Sequence, residues 1–90
     1  MLYAVTYDID RLHAEVRAQC LRAGFRDCVG QVDGTVRKLP GTTLVIDAAG
    51  CPDAARAFLR EVAKVSSSIT IIKLVSFEYG TLYRLSDHGG

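Results

Sequence analysis

The sequence lacks the features that would assign the chain at once to a common class. Its 90 residues carry 11 basic and 10 acidic side chains, so no overall basic excess indicates a nucleic-acid partner. No apolar run approaches the roughly 18 to 20 residues of a membrane span. No basic segment precedes the first apolar run, so we expect neither membrane association nor a signal peptide.

Cysteine and proline are also scarce, with 3 and 2 copies respectively. The cysteines, Cys20, Cys28 and Cys51, form no Cys-x-x-Cys pair, which argues against zinc and thioredoxin-type chemistry. We expect them to be reduced, buried small residues in a cytoplasmic protein. The chain is 49% hydrophobic and too short for two cores, so we predict one domain at residues 1–85 and a flexible tail at 86–90.

The hydrophobic pattern predicts two helices among several strands. An apolar strand at 1–9 is followed by a helix at 11–23, whose end at Gly24 suits a left-handed residue. Strands are predicted at 25–39, 42–48 and 69–79, and the pattern allows a short fifth strand at 81–85. The hairpin turns either at "VDGT" or at "LPGT". The second helix, at 50–68, is predicted to bury a stripe made of Ala55, Phe58, Leu59, Val62 and Val65.

This order, βαββαβ, predicts an α+β ferredoxin-like fold with a four-stranded antiparallel sheet and both helices on one face. Along the first strand Val5, Tyr7 and Ile9 point one way, and Leu2 and Ala4 point the other. The face without helices is therefore also apolar. We expect it to be covered by an identical subunit, or by the C-terminal strand of one, which makes the protein a homodimer.

Two acidic residues, Asp8 and Asp10, follow each other closely where the first strand ends. Carboxylates near each other suit Mg²⁺ or Mn²⁺, which favour oxygen ligands, and such a metal could assist cleavage of a phosphodiester. Alternatively, Asp10 caps the helix by accepting from its first free N–H groups. The spacing alone leaves both interpretations open.

The stretches "VTYDI" (residues 5–9) and "AGFRDCVGQV" (residues 23–32), with a helix between them, carry a resemblance. The chain resembles the small CRISPR-associated family that partners the spacer integrase, and its VapD-like and SinR-like relatives. The resemblance implies a ferredoxin-like homodimer completed by C-terminal strands and a metal-binding, catalytic aspartate, which carries over to Asp8 alone. The chain departs from the family at "GQVDG" and in having few basic residues early in the first helix.

Basic side chains are the remaining candidates for binding DNA or RNA. They lie in the first helix and the following hairpin, and the set is Arg11, Arg17, Arg22, Arg26, Arg37 and Lys38. His13 could act as a general base, although an exposed helix residue is the simpler interpretation. Tyr3 and Tyr7 could stack on bases, but they are better explained as packing residues because no RNA-recognition strand motif accompanies them.

We therefore expect a dimer that engages nucleic acid, with Asp8 as the residue for metal-dependent endonuclease activity. The alternative is a non-catalytic interaction or regulatory dimer, either antitoxin-like or an ACT-like ligand sensor.

Overall fold

The computed structural model describes residues 1–30 and 33–79 of the chain. In chain order the elements are β1 (Leu2–Ile9), α1 (His13–Arg22), β2 (Cys28–Gly30), β3 (Val36–Lys38), β4 (Thr43–Asp47), α2 (Cys51–Val65) and β5 (Ile71–Glu78). The predicted fifth strand at 81–85 and the predicted tail at 86–90 lie outside the described residues.

β1 is the central strand of a three-stranded antiparallel sheet with the order β4-β1-β5. One face of this sheet, here called the helix face, carries the odd-numbered side chains of β1. They pack with Val16 and Cys20 of α1 and with Phe58 and Val62 of α2 in one buried cluster. Because both helices contribute to this cluster, both lie on the helix face. The predicted α+β class with two helices on one side of the sheet is confirmed.

The predicted second strand at 25–39 is wrong in its extent. The chain reverses inside that range, so that β2 and β3 form their own two-stranded ribbon. Asp33 Oδ1 accepts the Thr35 N–H at 3.0 Å, and Gly34 has a φ of 89°, which favours glycine. The described sheet therefore has three strands and not four. Its only further pairing is an isolated antiparallel bridge between Arg26 and Val45.

A second turn returns the chain from the ribbon to the sheet. The Thr43 N–H donates to the Pro40 carbonyl at 3.0 Å, so "LPGT" is also a turn. The ribbon then folds over the face opposite the helices, here called the open face. Val29 and Leu39 of this segment pack against Ala4 and Val45, both of which have no exposed surface. The expected apolar open face is therefore partly covered within the chain itself.

The helices follow their predicted patterns with shifted ends. α1 begins at His13 after Leu12, whose φ of 61° places it in the left-handed region, and it ends before Gly24, whose φ is 110° as predicted. In α2, Pro52 lies in the first turn and Phe58 is fully buried, whereas Leu59 is 41% exposed. Among residues 1–30 and 33–79, no helix is long and apolar enough to span a bilayer.

Candidate functional site

Asp8 lies on the open face near the end of β1 and is exposed to solvent. Its cross-strand neighbour is Lys73, and the register of β1 and β5 shifts immediately after this pair. The extra residue at the shift is Ile72, whose side chain is 62% exposed. Within the described ranges, Asp8 makes no ion pair or hydrogen bond through its carboxylate. Asp8 therefore remains available to a ligand, beside an irregularity of a type that is common near functional sites.

Asp10 has a structural role that sequence reasoning did not find. Its Oδ1 accepts the Thr70 N–H at 2.8 Å, and its own N–H donates to the Thr70 carbonyl at 3.2 Å. Oδ2 accepts from Arg11 Nε at 3.1 Å. These donors, led by the Thr70 N–H, lower the pKa of the Asp10 carboxyl below its ordinary value of 3.8. Asp10 thus ties the end of β1 to the segment that leads into β5.

The prediction that Asp10 caps α1 is wrong. The residue before the helix is Leu12, and no side chain caps the first turn. Asp10 stands too early in the chain, because the left-handed Leu12 redirects the backbone between it and His13. The helix begins without the carboxylate that the sequence pattern indicated.

The arrangement also limits a metal site. Both carboxylate oxygens of Asp10 already accept from intramolecular donors, so binding Mg²⁺ or Mn²⁺ would require giving them up. No group of three or more His, Cys, Asp and Glu residues in the described part of the chain could hold a metal ion. Among the described residues Asp8 is thus the one predicted ligand still available, and a single carboxylate does not fit a stable site for these ions. The metal prediction remains a prediction, and it requires ligands beyond the described residues of one chain.

Among the predicted nucleic-acid contacts, Arg17 is the residue most involved in contacts within the chain. Its Nη1 donates to the Gly41 carbonyl at 2.9 Å, and its Nη2 donates to Asp27 Oδ2 at 2.9 Å. The guanidinium also lowers the pKa of the Tyr7 hydroxyl, against the larger opposing effect of burial. Asp27 precedes the ribbon and Gly41 follows it, so Arg17 joins α1 to both stems of the ribbon. This side chain is only 24% exposed and is poorly placed to contact a phosphate.

Two further residues that were predicted to contact nucleic acid, Arg11 and Arg22, also bind other side chains of the chain. Arg11 pairs with Asp10 at 3.1 Å, and Arg22 donates to Gln19 Oε1 at 2.9 Å. Both side chains lie at the surface, and these exposed contacts are weak enough to be exchanged.

Arg26, Arg37 and Lys38 are the candidates that remain freest. Arg26 reaches Asp47 only at 3.8 Å, with both side chains more than half exposed. Arg37 and Lys38 lie on β3, which is exposed along its whole length. Neither has an ion-pair or hydrogen-bond partner through its side chain in the described residues. Two of the six predicted contacts therefore lie together on the ribbon, with Arg26 beside its stem.

The remaining candidates from the sequence are two tyrosines and two histidines, and the tyrosines lie in the core. Tyr7 packs its ring against Phe58 at a centroid distance of 4.5 Å, and both Tyr3 and Tyr7 are buried in the main core. Burial raises the pKa of the Tyr7 hydroxyl, with a smaller contribution from Cys20. These rings cannot stack on bases where they lie. His13 is exposed at the start of α1, and His88 lies outside the described residues.

The interface between the helices contains a buried carboxylate that sequence reasoning missed. Glu61 is 5% exposed and accepts from Gln19 Nε2 at 2.9 Å and from Lys64 Nζ at 3.3 Å. The hydrogen bond from Gln19 is the largest cause that lowers the pKa of Glu61. Burial, followed by the charge of Glu61, raises the pKa of the Cys20 thiol to about 11. Its position three residues after Phe58, on the buried side of α2, was the signal available in the sequence.

Comparison of the chain with protein-family models, with curated proteins and with solved structures found no match.

Proposed function

We propose that the protein is a homodimeric domain that engages nucleic acid through the ribbon. The observation that carries this proposal is the pair Arg37 and Lys38, which are exposed on β3 and unengaged among the described residues. Arg26 adds a third cation beside the stem of the ribbon. Cations free of internal partners can neutralise phosphates and release counterions, and this effect dominates nucleic-acid affinity. A near-neutral chain can bind in this way if its basic residues are concentrated locally.

The proposal includes the ferredoxin-like arrangement and the resemblance to the CRISPR-associated family. The sheet order β4-β1-β5 with both helices on one face leaves one strand position open beside β4. In this proposal the Arg26–Val45 bridge occupies that position as a shortened fourth strand, and the ribbon continues from it. Arg37 and Lys38 lie on the exposed strand of this ribbon, where a nucleic acid can approach them.

The test is a binding titration of labelled duplex DNA and RNA at several salt concentrations, read by fluorescence anisotropy. We expect the double variant Arg37→Ala/Lys38→Ala to bind more weakly at every sequence. Its plot of log affinity against log salt should be shallower by about one unit for each phosphate contact removed.

The matched control is Arg56→Ala/Arg60→Ala, which removes the same charge from the exposed side of α2. It should leave the salt slope unchanged. Equal losses in both double variants would contradict a specific role for the ribbon. A wild-type protein that binds neither DNA nor RNA would contradict the proposal as a whole. If that protein is a dimer whose melting temperature rises with amino acids, the regulatory alternative explains it better.

Metal-dependent cleavage is the second candidate. It is favoured by the exposed carboxylate of Asp8, which has no partner among residues 1–30 and 33–79. A dimer could supply a second copy of this carboxylate. Incubation with DNA and RNA in Mg²⁺ or Mn²⁺, and then in EDTA, tests this activity. Cleavage should stop with EDTA and with Asp8→Asn, and it should persist in the control Asp53→Asn, which changes an exposed acid on α2. Cleavage that survives Asp8→Asn would exclude this residue.

A further inference from the structure

The ribbon that carries Arg37 and Lys38 buries little of its own surface. All three residues of β3 are exposed, and in β2 Val29 alone is buried. A two-stranded ribbon of this length is at best marginally stable in water by itself. The contacts at its base, where the chain enters and leaves it, therefore decide how firmly its position on the sheet is fixed.

Asp27 lies at the base of the ribbon and makes two of these contacts. Its main-chain carbonyl accepts the Leu39 N–H at 2.8 Å, which joins the two stems to each other. Its Oδ2 accepts from Arg17 Nη2 at 2.9 Å, which joins the stems to α1. The next residue along the chain, Cys28, is the register partner of Lys38. The connection to α1 is therefore made within one residue of the pair that contains a cation of the ribbon.

Arg17 uses its whole guanidinium at this base. Its second nitrogen, Nη1, donates to the Gly41 carbonyl on the other stem at 2.9 Å. A phosphate could bind this guanidinium only by replacing one of the two contacts. The sequence predicted that Arg17 contacts nucleic acid, but the residue is better placed to hold the ribbon whose cations do so.

We infer that Arg17 and Asp27 are positioning residues for nucleic-acid binding, which hold the ribbon so that its two cations meet the phosphates together. This role rests on the proposed function and explains how its site is held. Asp27, an acid, then supports the binding of a polyanion, which its charge alone would oppose. Without the carboxylate the stems are free to move, and only molecules in the held arrangement bind. The apparent dissociation constant rises by the inverse of their fraction.

The substitutions Asp27→Ala and Asp27→Asn separate position from charge, because both remove the same negative charge. Asparagine keeps a side-chain oxygen that can accept from Arg17, whereas alanine does not. In the anisotropy titration of labelled DNA and RNA, Asp27→Ala should raise the dissociation constant about threefold or more, and Asp27→Asn should leave it at or below the wild-type value. Equal shifts in the two variants would show that charge alone acts and would overturn the inference.

Asp47→Ala is the matched control for the loss of an acid near the ribbon. Asp47 is well exposed at the end of β4 and reaches Arg26 only at 3.8 Å. Removing it frees Arg26, so the dissociation constant should stay unchanged or fall. A loss of affinity in Asp47→Ala as large as that in Asp27→Ala would contradict the assigned role.

Arg17→Ala distinguishes holding the ribbon from contacting a phosphate. If Arg17 acts by position, the dissociation constant should rise about five- to tenfold, while the slope of log affinity against log salt keeps its wild-type value. A slope shallower by about one unit would make Arg17 a phosphate contact and overturn the inference, and so would an unchanged dissociation constant. Circular dichroism at the temperature of the titration establishes that each variant is folded. If Arg17→Ala is not, the two Asp27 variants decide the matter.

The outcomes also separate this role from the proposed function. Binding that is weakened in Arg37→Ala/Lys38→Ala, but changes equally in the two Asp27 variants, keeps the function and refutes the positioning role. A wild-type protein that binds neither DNA nor RNA refutes both.

Discussion

Replacing Arg17 by alanine should destabilise the fold more than any other change to a predicted nucleic-acid contact. The substitution removes the hydrogen bonds to the Gly41 carbonyl and to Asp27 Oδ2, both at 2.9 Å. It also removes the guanidinium from the Tyr7 hydroxyl. Both stems of the ribbon then lose their connection to α1.

The size of the effect follows from the geometry of these contacts. The Arg17 and Asp27 side chains are 24% and 32% exposed, so solvent screens the ion pair only in part. We assign about 1 kcal/mol to each hydrogen bond and about 0.5 kcal/mol to lost packing of the aliphatic stem. The sum is about 2 to 3 kcal/mol, which for a domain of this size lowers the melting temperature by roughly 10 to 20 °C.

Urea denaturation followed by circular dichroism measures this loss, and hydrogen exchange locates it. The amides of the ribbon should exchange faster in Arg17→Ala while those of α2 change less. The control is Arg22→Ala on the same helix, which loses one exposed contact and should cost under about 0.5 kcal/mol. A double-mutant cycle with Asp27→Ala should give a coupling of about 1 kcal/mol. Equal destabilisation by both arginine variants, or a coupling near zero, would refute the assigned role.

Three further predictions concern the core and the titrating groups. Phe58→Ala should cost about 3 to 5 kcal/mol in urea denaturation because the ring is fully buried against Tyr7, whereas Leu59→Ala, at a position 41% exposed, should cost about 1 kcal/mol or less. Since the pKa of Cys20 rises from 9.0 to about 11 on folding, the unfolded chain loses its proton first as the pH rises. The free energy of unfolding should then fall between about pH 9 and pH 11, and Cys20→Ala should lack this fall. If the free energy of unfolding falls equally with pH in that variant, the assignment to Cys20 is wrong. The folded pKa of Asp10 is lowered, so its contribution is present above its ordinary value of 3.8 and is lost as the pH falls below it. Asp10→Asn should remove that part of the acid transition in a pH series of melting curves, and an identical acid transition would contradict the assignment.

The regular elements could be predicted because local signals and packing agree in them. The odd-numbered residues of β1 form the buried face that their alternation indicated. Gly24 follows α1 with the positive φ that its position suggested, and Pro52 opens α2. In each case the residue type that the local backbone geometry favours is also the one that the packing of the fold allows.

The ribbon was mispredicted because two turn signals compete within one apolar stretch. Asp33–Gly34 and Pro40–Gly41 both reverse the chain, and the sequence cannot show that both do so. The prediction left the hairpin turn open between the two signals and assigned one strand to 25–39. Short strands of three residues also leave too little alternation to detect.

The candidate site was harder to predict because a charged side chain reveals its partner only after folding. Asp10 has the residue type of a helix cap, yet it bonds to Thr70, sixty positions further along the chain. Arg17 looks like any surface arginine in a helix until the ribbon stems reach it. Glu61 lies in an apolar stripe where a carboxylate is unexpected, and its donors are Gln19 on the other helix and Lys64 on its own helix.

The attachment of both ribbon stems by Arg17 makes the connection between β2 and β3 a natural place for added sequence. Lengthening a loop whose two ends are already held adds little to the entropic cost of closing it. Each doubling of the loop length raises that cost by only about 0.6 kcal/mol. A peptide tag or a small binding module inserted there would be attached on the side of the sheet opposite the helices and would leave the helices undisturbed. The same chain could in this way acquire a new specificity by exchanging only its tip.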